Sequence, residues 1–396
     1  MKLRTILSLW SIAFALAIAI FVIKSTQNGH NQKATDRSPG EKLLAHFPAD
    51  QVATIEITDS KKSVLLTQQN NKWVVAQRDD YPATTRDINQ LLRTLTQLKV
   101  TQSIEAGPSF ASHFGMDGES TDPATHGVDA TFKDTSGNEL LKISLGKYLE
   151  AASTTSALGG GVVGRYIRNH ADDSGFYAVG EALGTLSPSP QDWLSTEFLQ
   201  IEKIQTISVT KPGSDEIEWT ITRDEESEEL LFSDTFPGLK TNLSAVNALK
   251  LLYTYSHFED VLTGAEAAKI QPNDQLIKAT ITTFEGFIYN LTVQPESTDS
   301  DNFLMNVAVS AKLPEKRKKA ESESKKQAAE ADEIFAKRHN LLSERLRQTK
   351  EFEGKTFLIS RSTAAPLLKN RMDLTEPAQT PVPQQQTPVP QQPLNR

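Results

Sequence analysis

The chain has 396 residues, of which 38% are hydrophobic and 23% charged, a composition typical of a globular protein long enough for two domains. Its formal net charge of −8 argues against nucleic-acid binding, which depends on a surplus of lysine and arginine. The absence of cysteine excludes disulfides, thiolate metal sites, a cysteine nucleophile and lipid attachment through an N-terminal cysteine.

The first element is an uncharged apolar segment from Ile6 to Ile23, close to the roughly 20 residues that a membrane-spanning helix needs. Two basic side chains and the N-terminal amine precede it and one lysine follows it, so the positive-inside rule places the bulk of the chain outside the cytoplasm. A cleaved signal peptide is the alternative, but its small-x-small pattern, at Ala17–Ala19, lies inside the apolar segment. We therefore predict a retained transmembrane anchor over residues 1–24 and a polar linker over residues 25–45.

An internal repeat organises the chain after the linker. Val52–Thr58 matches Ile204–Thr210, and both segments alternate apolar and polar residues in the manner of a half-buried strand. Two further strands are predicted in each copy, at 63–67 and 72–76 in the first and at 217–222 and 230–233 in the second.

Each copy continues with a predicted amphipathic helix that has one apolar face for its sheet. Thr85 and Ser244 stand near the two starts, where a side-chain oxygen can cap free backbone amides. The apolar stripes are Ile88, Leu91, Leu92, Leu95 and Leu98 in the first copy, and Val246, Leu249, Leu252, Tyr253 and Ser256 in the second.

The match extends through the later strands of both copies. The corresponding segments are Val128–Phe132 with Ile277–Ile281, Arg165–Arg168 with Phe303–Asn306, and Phe176–Val179 with Phe357–Ser360. The predicted fold class is therefore α+β, with two tandem repeats of an antiparallel sheet and a packed helix, preceded by one transmembrane helix. The first repeat spans residues 46–197 and the second residues 198–372.

The second copy carries a charged insert at Lys312–Lys350, which is predicted to be helical. Its second part has a narrow apolar stripe, formed by Ile334, Phe335, Leu341, Leu342 and Leu346. This stripe is a candidate partner-contact surface. A surface helix packed on its own domain is the simpler alternative, because charged segments are usually solvated faces.

The last residues contain Thr-Pro-Val-Pro-Gln-Gln twice, beginning at Thr380 and at Thr387. This composition favours extended polyproline and cannot build a core. Residues 373–396 are therefore predicted to form a disordered Pro/Gln-rich tail.

Residue patterns that suggest a catalytic, cofactor or metal site lack the context that such a site needs. Gly159–Gly164 fits G-x-G-x-x-G but leads into a predicted strand and not a helix. The seven histidines form no H-E-x-x-H motif, and Asp172–Asp173 and Asp299–Asp301 are better explained as exposed turn carboxylates than as a calcium loop. We expect no catalytic residue, cofactor or metal. We also expect Trp73 and Trp193 to be buried in the cores.

The segment from Val52 through Trp73 to the first helix, followed by His113–Asp117, resembles the bacterial family called domain of unknown function 4340. In that family a strand pair that ends in tryptophan leads to a helix and a tyrosine-glycine-leucine-aspartate-like turn, where Phe114–Asp117 stand here. Ile143–Gly146 is similar to a later strand of the family, and the resemblance covers most of Phe47–Leu368. It implies an N-terminal anchor and, for some members, a noncatalytic role beside ABC-type transport systems of the gliding-motility kind.

These observations predict a single-pass protein of the bacterial inner membrane whose bulk is extracytoplasmic. We expect a noncatalytic interaction or accessory module of an envelope or ABC-type transport complex, with the membrane and an envelope or transporter protein as partners and no nucleic acid. The alternative is a small-molecule or glycan binding protein that uses the cleft between the two repeats. A hydrolase with unrecognised carboxylates is a third hypothesis.

Overall fold

A computed structural model of the protein describes residues 37–151, 161–172, 175–254, 256–297, 300–317 and 323–378. The chain divides into two units, unit 1 ending at Thr196 and unit 2 beginning at Glu197. Each unit combines a large antiparallel sheet with helices, which confirms the α+β class. The predicted anchor lies outside the described residues. Among those described, no helix has the length and apolar character needed to cross a membrane.

The described part of unit 1 forms a nine-stranded sheet in the order β4-β3-β2-β1-β6-β7-β8-β9-β5. Its central strands alternate buried and exposed residues, and Ile55 and Ile57 of β1 are fully buried. The strands are β1 Thr54–Thr58, β2 Ser63–Gln69, β3 Lys72–Val75, β4 Tyr81–Pro82, β5 Val100–Ile104, β6 Val128–Lys133, β7 Glu139–Glu150, β8 Val162–Asn169 and β9 Phe176–Val179.

Helix α1, Thr85–Gln97, connects β4 to β5 and buries the face that the sequence predicts. All five residues of the predicted stripe are at most 8% exposed. The residue at the N-cap is Thr84, whose side chain makes no capping hydrogen bond. Trp73 and Trp193 are buried in unit 1, as expected.

Residues 105–127, which we call the cover segment, contain the short helices α2, Ala111–Phe114, and α3, Pro123–His126. The Phe114 ring lies 5.0 Å from that of Tyr166 and 5.5 Å from that of Phe176, centroid to centroid. A Cβ atom on Gly146 would collide with the carbonyl oxygen of Phe114, so a glycine is needed where the cover segment meets β7. The cover segment thereby packs directly on the sheet.

Unit 2 has an eight-stranded sheet in the order β12-β11-β10-β15-β16-β17-β18-β14. If β4 is left out, the two sheets have the same strand order. Adding nine to the number of a strand in unit 1 gives the number of its equivalent in unit 2. The segments that match in sequence thus lie in equivalent strands, but the predicted match of Phe176–Val179 with Phe357–Ser360 is one residue out, because the strand registers make Phe176 the equivalent of Thr356. The strands are β10 Ile204–Thr210, β11 Ile217–Thr222, β12 Leu231–Phe232, β14 Asp260–Val261, β15 Ile277–Thr283, β16 Phe287–Pro295, β17 Asn302–Ala311 and β18 Thr356–Ser360.

The helix predicted through Ser256 in the second copy is wrong in its extent. Helix α4 covers only Leu243–Asn247 and is followed by a 3₁₀ turn at Ala248–Leu251. Tyr253 has a φ of 61°, a left-handed conformation that ends helical structure. The helix is capped by Asn242, which accepts a hydrogen bond from the amide of Ala245, and not by Ser244.

The folded structure begins inside the predicted linker. Leu43 is fully buried, and the Arg37 guanidinium donates to both carboxylate oxygens of Asp172, at 3.0 and 3.1 Å. Tyr177 donates to the same carboxylate at 2.6 Å. The Asp172 side chain is only 5% exposed, so its interpretation as an exposed turn carboxylate is wrong.

Folded structure also extends into the predicted tail. Strand β19, Thr375–Pro377, pairs with strand β13, Leu239–Thr241, in a small second sheet of unit 2. The two Thr-Pro-Val-Pro-Gln-Gln sequences lie outside the described residues. The prediction of a disordered tail therefore begins too early, because residues 373–378 are folded into unit 2.

Candidate partner-contact helix

The insert of unit 2 contains α6, Lys325–Lys350, which at 26 residues is the longest helix of the described chain. Its first turn has a reciprocal cap, in which Ser324 accepts from the backbone of Gln327 and the Gln327 side chain accepts from the backbone of Ser324. Arg317 donates two bonds of 2.8 Å to Glu323 and one of 2.8 Å to Asp332. The start of the helix is therefore held by the chain that precedes it.

Only the C-terminal half of α6 is packed deeply on unit 2. Leu342 and Thr349 are its buried residues, and α6 contacts β17. Just after the helix, the Phe352 ring packs 5.6 Å from Phe198 and 5.8 Å from Phe357, centroid to centroid. These apolar contacts fix the C-terminal end of the helix to the sheet.

Charged contacts hold the same half of the helix in one orientation. One terminal nitrogen of Arg345 lies 3.3 Å from a carboxylate oxygen of Glu285 and 3.2 Å from one of Glu202, and the other donates to the carbonyl of Gln200 at 2.5 Å. The guanidinium also lies over the Phe287 ring, 5.6 Å from its centroid. Such a planar group serves several acceptors at once, so rotation of α6 would break several contacts together.

Glu285 is the acceptor shared by several cations at this point. Its side chain is 10% exposed and lies 3.1 Å from the Lys203 ammonium and 3.6 Å from the Arg338 guanidinium. Burial raises the pKa of the neighbouring Tyr289 phenol, which is therefore neutral and acts as a packing group.

The predicted apolar stripe divides into a packed part and an exposed part. Leu342 is buried, and Phe335 and Leu346 are half-buried. Ile334 and Leu341 are 68% and 69% exposed. Because they are seven residues apart, or two helical turns, Ile334 and Leu341 project on the same side of α6. We call these two side chains the exposed pair.

The surroundings of the exposed pair are charged. Glu333 pairs with Lys337 at 2.7 Å, and Glu344 pairs with Arg347 at 2.5 Å. Arg347 lowers the pKa of Glu344, and Glu344 raises that of Arg347. Solvent-exposed ion pairs such as Glu333–Lys337 and Glu344–Arg347 contribute little to stability. The exposed pair is thus an apolar surface with a charged rim.

Sequence reasoning identified the apolar stripe but missed Arg338, Arg345 and Glu285. The available signal is that the two arginines are seven residues apart and flank Leu342, the position that is buried. Their acceptors come from distant parts of unit 2, so the sequence alone could not identify them.

The other patterns considered in the sequence form no site in the part of the chain that the structure describes. No three His, Asp or Glu side chains of those residues are arranged to hold a metal ion. A strand follows the glycine-rich segment, as predicted, but it begins at Val162 and not at Arg165, so Gly164 lies inside β8. Gly159 and Gly160 lie outside the described residues.

A family model described as "Domain of unknown function (DUF4340)" matches residues 73–279, which is more than half of the chain. The match begins at Trp73 in unit 1 and ends in β15 of unit 2, so α6 lies beyond it. No curated protein and no solved structure matches the chain.

Proposed function

The chain belongs to the DUF4340 family, and on that premise we propose that it is a noncatalytic interaction module tethered to the bacterial inner membrane. In this proposal residues 6–23 span the membrane, both units lie outside the cytoplasm, and α6 contacts an envelope or ABC-type transport protein. The observation that carries the proposal is the exposed pair, Ile334 and Leu341, on a helix that Leu342 and Arg345 fix to unit 2.

The energetics of α6 support a contact role. A helix is normally stabilised by burying an apolar face, yet here two large aliphatic side chains remain about two-thirds exposed. A partner that covered these side chains would stabilise the complex by about 25 cal/mol for each Å² of apolar surface removed from water. The charged rim would supply orientation and selectivity more than affinity.

The sequence supports the location. The apolar segment at 6–23 has the length of one membrane crossing, and the basic residues before it favour a cytoplasmic N-terminus. Arg37 contacts unit 1 only 14 residues after Ile23, so an anchor would hold this contact within about 50 Å of the membrane.

The test is in-cell crosslinking of the full chain, followed by identification of the captured proteins. The variant is I334D with L341D. The matched control is A329D with A336D, which adds the same charge at the same spacing to two exposed alanines on another side of α6. We expect envelope or transport proteins to be captured by the wild type and the control and lost with the variant.

Equal capture by the variant and the control would contradict the contact role of α6. Location is tested separately, by protease digestion of intact spheroplasts. We expect the protease to digest both units in intact spheroplasts. When residues 6–23 are deleted, we expect both units to be protected. Protection of both units in intact spheroplasts would contradict the extracytoplasmic placement.

A further inference from the structure

Unit 2 contains a cavity of about 270 Å³ between its sheet and the segment around α5, Gly264–Ala267. Four polar side chains line it on the sheet side: Thr292 and Gln294 of β16, Asn306 of β17 and Thr356 of β18. The Gln294 amide is already bonded to the segment after α5, because it donates to the carbonyl of Gln271 at 3.2 Å and accepts from the amide of Asn273 at 3.3 Å. Thr292, Asn306 and Thr356 are direct cross-strand neighbours. Aliphatic groups form the rest of the lining, and they come from Ala267, Ile270, Pro272, Leu276 and Leu304.

The repeat shows what is special about this cavity. Strand registers make Thr292, Asn306 and Thr356 the equivalents of Ser144, Arg168 and Phe176 in unit 1. By the same registers, Leu304 is the equivalent of Tyr166.

In unit 1 the corresponding space is filled. Phe176 is fully buried and packs with Tyr166 and Phe114 under the cover segment. In unit 2 a threonine and a leucine replace the two strand aromatics, so side-chain volume is lost on the sheet side. The space is open to solvent on one side, where Asn306 and Pro272 are exposed, and a pocket with several polar groups on one side has the character of a binding site.

Hydrogen bonds fix the orientation of the central amide. Asn306 Nδ2 donates to Thr356 Oγ1 at 2.7 Å and to the carbonyl of Lys355 at 3.1 Å. Asn306 Oδ1 therefore points the other way, where the Thr292 hydroxyl approaches only to 3.5 Å. Asn306 thus offers an acceptor, and Thr356, whose oxygen already accepts from Asn306, offers its hydroxyl proton as a donor.

The chemistry of the lining limits the ligand. None of the described residues that line the cavity is ionisable, so a charged ligand would lose part of its hydration without gaining a counter-charge. An uncharged amide or hydroxyl satisfies both the acceptor on Asn306 and the donor on Thr356. A branched aliphatic body matches the Ile270, Pro272 and Leu304 side of the cavity.

We propose that this cavity is a binding site for a small uncharged molecule that has an amide or hydroxyl group at one end and a branched aliphatic body. The proposal does not depend on the contact role of α6, because no residue of α6 lines the cavity.

The test uses 4-methylpentanamide as the probe and 4-methylpentanoate as its charged analogue, with saturation-transfer NMR on the purified full chain. The amide is expected to bind, and the carboxylate to bind at least about tenfold more weakly. A267F places an aromatic ring in the cavity from the α5 side. A268F is the matched control, because Ala268 is exposed and does not line the cavity.

We expect A267F to lose amide binding and A268F to retain it. T356F, which restores the aromatic residue of unit 1 at this position, is a second blocking variant and is expected to act like A267F. The proposal is overturned if the wild type does not bind the amide, if the carboxylate binds equally well, or if both blocking variants retain wild-type binding.

Discussion

Replacing Arg37 with methionine should destabilise unit 1 by about 2–3 kcal/mol, because it leaves the Asp172 carboxylate buried without its cation. The pair has two N–H···O contacts, at 3.0 and 3.1 Å, and the Asp172 side chain is 5% exposed. Loss of one partner of a fully buried pair costs about 3–5 kcal/mol. Because Arg37 is itself 24% exposed and Tyr177 still donates to the carboxylate, we expect a smaller loss.

The assay is native-state hydrogen exchange of the full chain, read by mass spectrometry peptide by peptide. A chain with two units need not unfold in one step, so a single melting curve would mix the two stabilities. R37M should raise exchange in unit 1 and leave unit 2 unchanged. The matched control is R361M, which breaks the 3.1 Å contact between Arg361 and Asp301. The Arg361 side chain is 59% exposed and that of Asp301 is 91% exposed, so this ion pair should contribute little.

A double variant, R37M with D172N, tests the cause of the destabilisation. Removing the buried charge should recover part of the loss, so the double variant should be less destabilised than the sum of the two single variants. The reasoning is refuted if R37M changes exchange in unit 1 no more than R361M changes it in unit 2, or if the two single effects add.

Two further predictions concern unit 1. Burial, assisted by Arg168 and Lys142 and opposed by Asp129, lowers the pKa of His170 from 6.5 to about 4. The unfolded chain then binds more protons between these values, so the stability of unit 1 falls as the pH drops through this window. H170Q should lose less stability than the wild type when the opening free energies of unit 1, from hydrogen exchange corrected for the intrinsic rate, are compared above and below the window. An equal loss would contradict this. G146A should destabilise unit 1 by about 1–3 kcal/mol, since the new methyl group displaces the cover segment. Increased exchange in the cover segment would show it, with G161A as the matched control, because a Cβ atom on Gly161 meets no neighbour and its backbone is not in the left-handed region. Equal exchange in the two variants would refute it.

Local periodicity was a good guide to the fold where one face of an element is buried. The five apolar residues of α1 predicted both the helix and its buried face, and the alternation in β1 and β10 predicted the matched strands of the two units. The same signal failed at Leu252 and Tyr253. Both are buried, as their apolar character predicts, but the backbone there is no longer helical. A hydrophobic pattern records which residues are buried and not the backbone conformation that buries them.

Long-range partners were beyond the reach of the sequence. Nothing local indicates that Asp172 pairs with Arg37, or that Thr375–Pro377 pairs with Leu239–Thr241. The same limit applies to α6. Its apolar stripe is continuous in the sequence, but unit 2 buries only the part around Leu342 and leaves Ile334 exposed. The packing surface that makes this division comes from strands far away in the chain.

The pairing of β13 with β19 has a consequence for the order of synthesis. Unit 1 has every described strand of its sheet by Val179, so it can fold while unit 2 is still being made. Unit 2 makes β13 early but must wait for β19, which is synthesised more than 130 residues later. During this interval Leu239–Thr241 is an unpaired strand edge. If the ribosome stalled before Thr375, that edge would be available to pair with other nascent chains on the same mRNA.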